Sequence, residues 1–298
     1  MKLQFELDET TRRERAQRIE ILKKNPLVSN FLEKNGLDAS FLEKNSSYFE
    51  DWVESIRKCS GCQGMEFCVQ KIPGKVKNIY MDGSGFLEER YQSCKYHKKF
   101  EDQIAHQRYY RLSHLSKADY SIDLHAIDLS KETNEYVMGY TKVVVSLEKE
   151  KGVYLYGQPG VGKSYLMAGV ANYYAKKQHK VSFVRVPLLV QDLKQSMFDA
   201  EYRQDVLGDL RFSEILILDD IGSESITAWT RDEILFPVLD YRMNHGMKTY
   251  FTSNYTLEEL EAQYCLKDKE NGKVASLRLM ERVRTLADSV SLLGKSRR

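Results

Sequence analysis

No run of apolar residues in this sequence comes near the ~18 positions that a membrane-spanning helix needs. The opening segment, Met1–Gln17, turns polar within a few residues and lacks the apolar core of a secretory signal. A cytoplasmic protein without membrane attachment is therefore expected. Charge of one sign is missing too: 45 Lys and Arg stand against 43 Asp and Glu, a formal net charge of +2. That balance excludes nucleic-acid binding by bulk electrostatics, so any contact with DNA must come from a local groove or from assembly of several subunits. The five cysteines do not pair evenly. Four of them, Cys59, Cys62, Cys68 and Cys94, crowd into one window, which in a reducing compartment points to metal rather than disulfides. What is present is the mix of a soluble globular protein, 42% apolar and 30% charged over 298 residues, enough for one large domain or two ordinary ones.

The two ends of the chain read differently. Residues 9–24 are charged and helix-prone. Two short helical segments follow, around 25–36 and 37–58, each carrying the string Phe-Leu-Glu-Lys-Asn with apolar residues spaced for one buried face. After the cysteine window, residues 95–110 hold neither Pro nor Gly and read as helix. From about residue 150, buried strands at Gly152–Tyr156, Val181–Val186, Glu214–Leu218 and Lys248–Thr252 alternate with helical stretches at 163–178, 187–202 and 229–245. Such alternation predicts an α/β unit, a parallel sheet flanked by helices on both faces. Helical pieces at 256–264 and 273–286 and an apolar run at Val290–Leu293 close the chain. The expected organisation is a small, mainly helical domain over 1–105, a linker over 106–130 and the sheet domain over 131–298.

Gly157-Gln158-Pro159-Gly160-Val161-Gly162-Lys163-Ser164 matches the phosphate-loop pattern in full, between a strand and a helix, which is the context that gives the pattern meaning. Its glycines let backbone N–H groups turn inward around the phosphates of ATP, and the helix N-terminus adds its dipole. Lys163 is placed to neutralise β/γ-phosphate charge and the Ser164 hydroxyl to ligate Mg²⁺. Downstream, Ile215-Leu216-Ile217-Leu218-Asp219-Asp220 is an apolar strand that delivers acids to its C-terminal edge, where ligands of open α/β sheets sit. Asp219 is the candidate carboxylate for Mg²⁺, and Asp220 the candidate for polarising the attacking water. Asn254, after the next strand, is placed to orient water or touch the γ-phosphate, although Asn is also common in a plain turn. Arg278 and Arg282 stand at i, i+4 on one helix face, as phosphoryl-stabilising guanidinium groups or as a solvated basic face.

Together these motifs resemble the DnaI/DnaC family of bacterial replicative-helicase loaders, which are AAA+ ATPases. The most specific pieces are Leu218-Asp219-Asp220-Ile221-Gly222-Ser223-Glu224, Arg278-Leu279-Met280-Glu281-Arg282 and the closing Gly294-Lys295-Ser296-Arg297-Arg298. The resemblance implies that Asn254 reads the γ-phosphate and that Arg282 is a finger inserted into a neighbouring subunit's site. It makes Arg298 the second sensor, with Arg297 as fallback. It further implies self-association through the ATPase domain, a hexameric replicative DNA helicase and single-stranded DNA as partners, and an N-terminal zinc domain that grips the helicase. A transposition helper ATPase, whose core is closely similar, is the alternative. One departure matters: many AAA+ ATPases carry Glu as the second acid, and the shorter Asp220 implies slow hydrolysis.

For the metal, Cys59-x-x-Cys62 has knuckle spacing, and Cys68, Cys94 and His97 add three donors where Zn²⁺ needs four in all. The first choice is Cys59, Cys62, Cys68 and Cys94, with His97 in place of Cys68 as the alternative. Cys265 reads as a packing residue. Tyr173, Tyr174 and nearby lysines are candidates for DNA contact, and otherwise belong to a helix surface and core.

Overall fold

A computed structural model of the chain describes residues 9–265 and 271–297. By its internal contacts the chain divides into two units, Met1–Asp102 and Gln103–Arg298.

The first unit begins with four helices, α1 (Glu9–Lys23), α2 (Pro26–Lys34), α3 (Ala39–Lys44) and α4 (Ser46–Lys58). The Asn25 side chain accepts the Leu27 N–H at 2.9 Å and Pro26 opens α2, a cap and a first-turn proline that both favour a helix start. The helical stretch read over 37–58 breaks at Asn45, which ends α3 and begins α4. A hairpin follows, β1 (Lys75–Met81) and β2 (Leu87–Ser93), antiparallel from Lys75 opposite Ser93 to Met81 opposite Leu87. Its turn is held by Asp82 Oδ1, which accepts the N–H groups of Ser84 and Phe86 at 2.9 and 2.6 Å. Helix α5 (Lys95–Ile104) comes next. The unit's core is Leu22, Val28, Leu42, Phe49, Trp52 and Ile79. Phe31, Phe49 and Trp52 meet edge to face at 5.5–6.2 Å between centroids, and Trp52 Nε1–H donates to Asn78 Oδ1 at 2.9 Å, tying α4 to β1.

The second unit contains β3 (Tyr110–Ser113), α6 (Asn134–Ser146), β4 (Gly152–Tyr156), α7 (Lys163–Lys176), β5 (Val181–Arg185), α8 (Val186–Gln195), α9 (Ala200–Phe212), β6 (Ile215–Asp219), α10 (Phe236–Asn244), β7 (Thr249–Ser253), α11 (Leu257–Tyr264), α12 (Asn271–Leu286) and β8 (Ala287–Ser291). The six strands are parallel, in the order β3-β5-β6-β7-β4-β8. Side chains alternate between faces as the pleat requires. Val153, Leu155, Phe183, Ile217 and Tyr250 face α6 and α7, whereas Tyr154, Val184, Leu218 and Phe251 join the cluster formed by α8 to α12. Burying each such side chain contributes about 1.5–3 kcal/mol.

Residues 106–130, read as a linker, lie on this sheet instead. Tyr110–Ser113 pairs with β5 as the edge strand, and the Asn172 amide on α7 donates to the carbonyls of Asp119 and Ile122 at 2.8 and 2.9 Å. The helix read at 187–202 is two helices, because Asp199 caps α9 through the Tyr202 N–H at 2.9 Å. Among the described residues no helix is long and apolar enough to cross a membrane.

Candidate functional site

Parallel strands bring their C-terminal ends to one edge, so the turns after β4, β6 and β7 meet there. The loop from Gly157 to Ser164 joins β4 to α7. At Gly157 a Cβ would lie 2.3 Å from the Leu292 carbonyl oxygen, so only glycine lets the loop pass β8. Gly162, at φ +102°, opens α7 in a left-handed conformation with no side-chain cap, leaving first-turn N–H groups that suit an anion. Val161 is 1% exposed and anchors the loop in the core. The Lys163 ammonium donates to the carbonyls of Gly157 and Gln158 at 2.8 and 3.1 Å and to Asn254 Oδ1 at 2.9 Å.

The acids come from the end of β6. Asp219 is 2% exposed, and burial lifts its carboxyl above the usual carboxylate range while the Thr252 and Ser164 hydroxyls pull it back down. Thr252 Oγ1 donates to Asp219 Oδ1 at 2.7 Å and accepts the Asp220 N–H at 2.8 Å. Asp220 sits at φ +61°, a conformation that costs a non-glycine residue about 1–3 kcal/mol. Its Oδ1 accepts from Ser223 Oγ at 2.9 Å and from Asn254 Nδ2 at 3.0 Å. Asn254 thus bridges Lys163 and Asp220, joining three strand ends in one hydrogen-bonded chain.

These groups line a cleft of about 660 Å³ with Pro159, Gly160, Gly162, Ser164, Arg185 and Arg297, a size suited to a small-molecule ligand. Arg297 lies against the phosphate loop. Its N–H donates to the Gly160 carbonyl at 3.0 Å, and its guanidinium pairs with Glu132 at 2.8 Å and stacks over Tyr136 at 4.7 Å. Arg298 lies outside the described residues. Arg282 is not among the residues lining the cleft. It contacts Asp240 Oδ1 at 3.0 Å and Glu281 Oε2 at 2.6 Å, and like Arg278 it lies over the Phe236 ring. Among the cleft residues that sequence reasoning missed are Arg185 and Thr252; both occupy strand ends on the ligand edge, and that position was the available signal. The Tyr174 hydroxyl donates to the Leu147 carbonyl at 2.9 Å and its ring is buried, so it is a core residue rather than a DNA contact.

In the first unit, Cys59, Cys62, Cys68 and Cys94 line one cavity of about 190 Å³ with Met65 and Tyr96. Backbone N–H groups of Gly74 and His97 donate to the sulfurs of Cys68 and Cys94 at 3.2 and 3.4 Å, and Gln70 Nε2 donates to Cys59 at 3.2 Å. Among the described residues no group of three or more His, Cys, Asp or Glu stands close enough to hold a metal ion. The donor chemistry suits a soft cation, but the thiols must close on it. His97 is not among the residues lining the cavity; its Nδ1 lies 3.1 Å from Glu101 Oε2.

The family described as IstB-like ATP binding protein matches residues 89–298. The replicative helicase loader DnaI of Bacillus subtilis (strain 168) is 31% identical over 253 residues, 83% of this chain and 81% of that protein. A crystal structure of DnaI superimposes with a TM-score of 0.55 at 31% identity, covering 62% of this chain and 98% of that one. The chain belongs to the IstB-like ATP-binding proteins and to the DnaI/DnaC family of AAA+ helicase loaders.

Proposed function

We propose that this protein is a primosomal ATPase that loads the hexameric replicative DNA helicase onto single-stranded DNA, with slow ATP hydrolysis acting as a switch. The Lys163–Asn254–Asp220 chain at a nucleotide-sized cleft carries the reading, in a chain related to DnaI over most of its length. A transposition helper is the weaker alternative, because the similarity to DnaI covers 83% of the chain, more than the ATPase unit alone supplies.

In this reading the phosphates take the place of the loop carbonyls and Asn254 around the Lys163 ammonium, leaving Asn254 to face the γ-phosphate. Ser164 and Asp219 would hold Mg²⁺, which would supply charge neutralisation to the nucleotide's phosphates. Asp220 polarises the attacking water, and its short side chain and its ties to Asn254 and Ser223 favour a slow step. Arg282 must exchange Asp240 and Glu281 for a neighbour's γ-phosphate, which links hydrolysis to self-association. Arg298 is the second sensor of the nucleotide, with Arg297, which lies against the loop, as the fallback. The small unit holds one Zn²⁺ on Cys59, Cys62, Cys68 and Cys94, and grips the helicase. Zn²⁺ when bound supplies folding energy there.

Native mass spectrometry of the protein mixed with its replicative helicase, with and without ATP, tests the proposal. A complex on the helicase hexamer whose composition changes with ATP is expected. Absence of any complex under both conditions would refute helicase loading.

A further inference from the structure

Arg185 closes β5 directly opposite Asp219 at the end of β6. The sheet fixes its backbone, and its N–H donates to His114 Nδ1 at 3.1 Å. Its side chain is 45% exposed and runs along the cleft wall, with Nε 3.9 Å from Asp219 Oδ2. The other oxygen of Asp219 accepts the Thr252 hydroxyl at 2.7 Å. Oδ2 is thus the oxygen that faces a cation, the Arg185 guanidinium. The same carboxylate is the candidate ligand for Mg²⁺. Two cations with one oxygen between them compete, and a guanidinium on a flexible, half-exposed stem is weakly hydrated and free to swing aside.

We propose that Arg185 is a resident countercharge that competes with Mg²⁺ for Asp219 and so sets how much Mg²⁺ nucleotide binding requires. This rests on the assignment of the cleft as an ATP·Mg²⁺ site. Arg185 neutralises the buried carboxylate while the metal is out and opposes the metal's entry by charge repulsion. Because Arg185 is half exposed, the repulsion acts through a high effective dielectric, and its removal is worth roughly threefold to tenfold in Mg²⁺ affinity.

The test is binding of a fluorescent ADP analogue to the full chain while Mg²⁺ is titrated, for the unsubstituted protein, Arg185→Ala, Arg185→Gln and Arg185→Lys. The half-saturating Mg²⁺ concentration is expected to fall roughly threefold to tenfold in Arg185→Ala and Arg185→Gln, and much less in Arg185→Lys, which keeps the charge. Affinity in EDTA is expected to stay within about twofold, since the competing metal is then absent. Arg185→Gln keeps most of the stem and guards against a packing loss in Arg185→Ala. An unchanged or raised Mg²⁺ midpoint in both neutral variants overturns the inference. So does an equal loss of affinity with and without Mg²⁺, which would put the guanidinium on the phosphates. Lys163→Ala separates this failure from failure of the site itself. If the unsubstituted protein does not bind nucleotide, or Lys163→Ala binds as tightly, the cleft assignment falls and the inference with it.

Discussion

Among the described residues the small unit buries a single cluster around Phe49 and Trp52, whereas the ATPase unit buries one cluster on each face of a six-stranded sheet. Both units position polar chemistry, but on different foundations. In the ATPase unit the strand ends are fixed by their neighbours, so Lys163, Asp219 and Asn254 converge at one edge of the sheet. In the small unit the four thiols share a cavity without closing to ligand distance, and the proposed Zn²⁺ would act there as a staple. The lesson is that a large parallel sheet can preorganise its site, whereas a smaller core supplies less to hold one in place.

The largest expected effect would break that comparison outright. Freshly purified protein should carry one Zn²⁺ per chain, and its removal should cost the small unit much of its fold, since apparent zinc-binding energies of ~10–16 kcal/mol become folding energy. The check is metal analysis with thermal unfolding before and after chelation, with nucleotide binding by the ATPase unit surviving. Folded protein free of zinc rules the staple out. Cys68→Ser should lower zinc content and His97→Ala should not, because His97 faces Glu101 instead of the cavity.

Next comes Arg282→Ala. ATP binding should stay normal, while hydrolysis stimulated by helicase or single-stranded DNA is lost, by at most ~10³–10⁵-fold for a full arginine finger and by less in a slow switch. Mixing it with Lys163→Ala protein should restore activity, since one subunit keeps the cleft and the other the finger. Normal stimulated hydrolysis by Arg282→Ala reduces Arg282 to the ion pair it makes with Asp240. Lys163→Ala alone should leave the circular dichroism spectrum unchanged and weaken ATP binding by about 10–100-fold, the scale of a lost charge-assisted contact. Tight ATP binding by that variant would detach the phosphate loop from the nucleotide.

The same contrast explains what was legible in the sequence. β4, β5, β6 and β7 were readable to within a residue because strands buried on both faces are mainly apolar, most plainly in Ile215–Leu218, with buried hydroxyls such as Ser182 and Thr252 as exceptions. β3 was not, because an edge strand of four residues, Tyr-Arg-Leu-Ser, carries no such run. The hairpin of the small unit was missed for a related reason: β2 reads Leu-Glu-Glu-Arg-Tyr-Gln-Ser and is largely open to solvent, so no apolar alternation marks it. The phosphate loop and both acids were legible because spacing alone specifies them. The Asn254 bridge from Lys163 to Asp220 and the ion pair of Arg185 were not, because each depends on which strands become neighbours.

The smallest expected effect concerns pH and sharpens the comparison. Glu224 is 7% exposed beneath the Asp-Asp-Ile-Gly turn; its Oε2 accepts the Gly222 N–H at 2.8 Å and its Oε1 the Tyr264 hydroxyl. Burial raises its carboxyl above the ordinary value of 4.5, against the pull of those two donors. Below 4.5 the group is protonated in folded and unfolded chains alike and makes no difference. Above it the unfolded chain ionises first while the folded chain keeps its proton, so this group's contribution to stability falls as pH rises, until the folded group ionises as well. Among the described residues of the small unit no carboxylate is buried in this way, so this slope belongs to the ATPase unit. Glu224→Gln isolates the slope: its carbonyl can still accept from Gly222, and its amide can donate to the Tyr264 oxygen. Urea unfolding should find the variant level with the unsubstituted protein at pH 4 and more stable at pH 8, by on the order of 1 kcal/mol. A variant destabilised equally at both pH values would mean that Glu224 serves the turn as a hydrogen-bond acceptor alone, and that its buried charge costs the ATPase unit nothing.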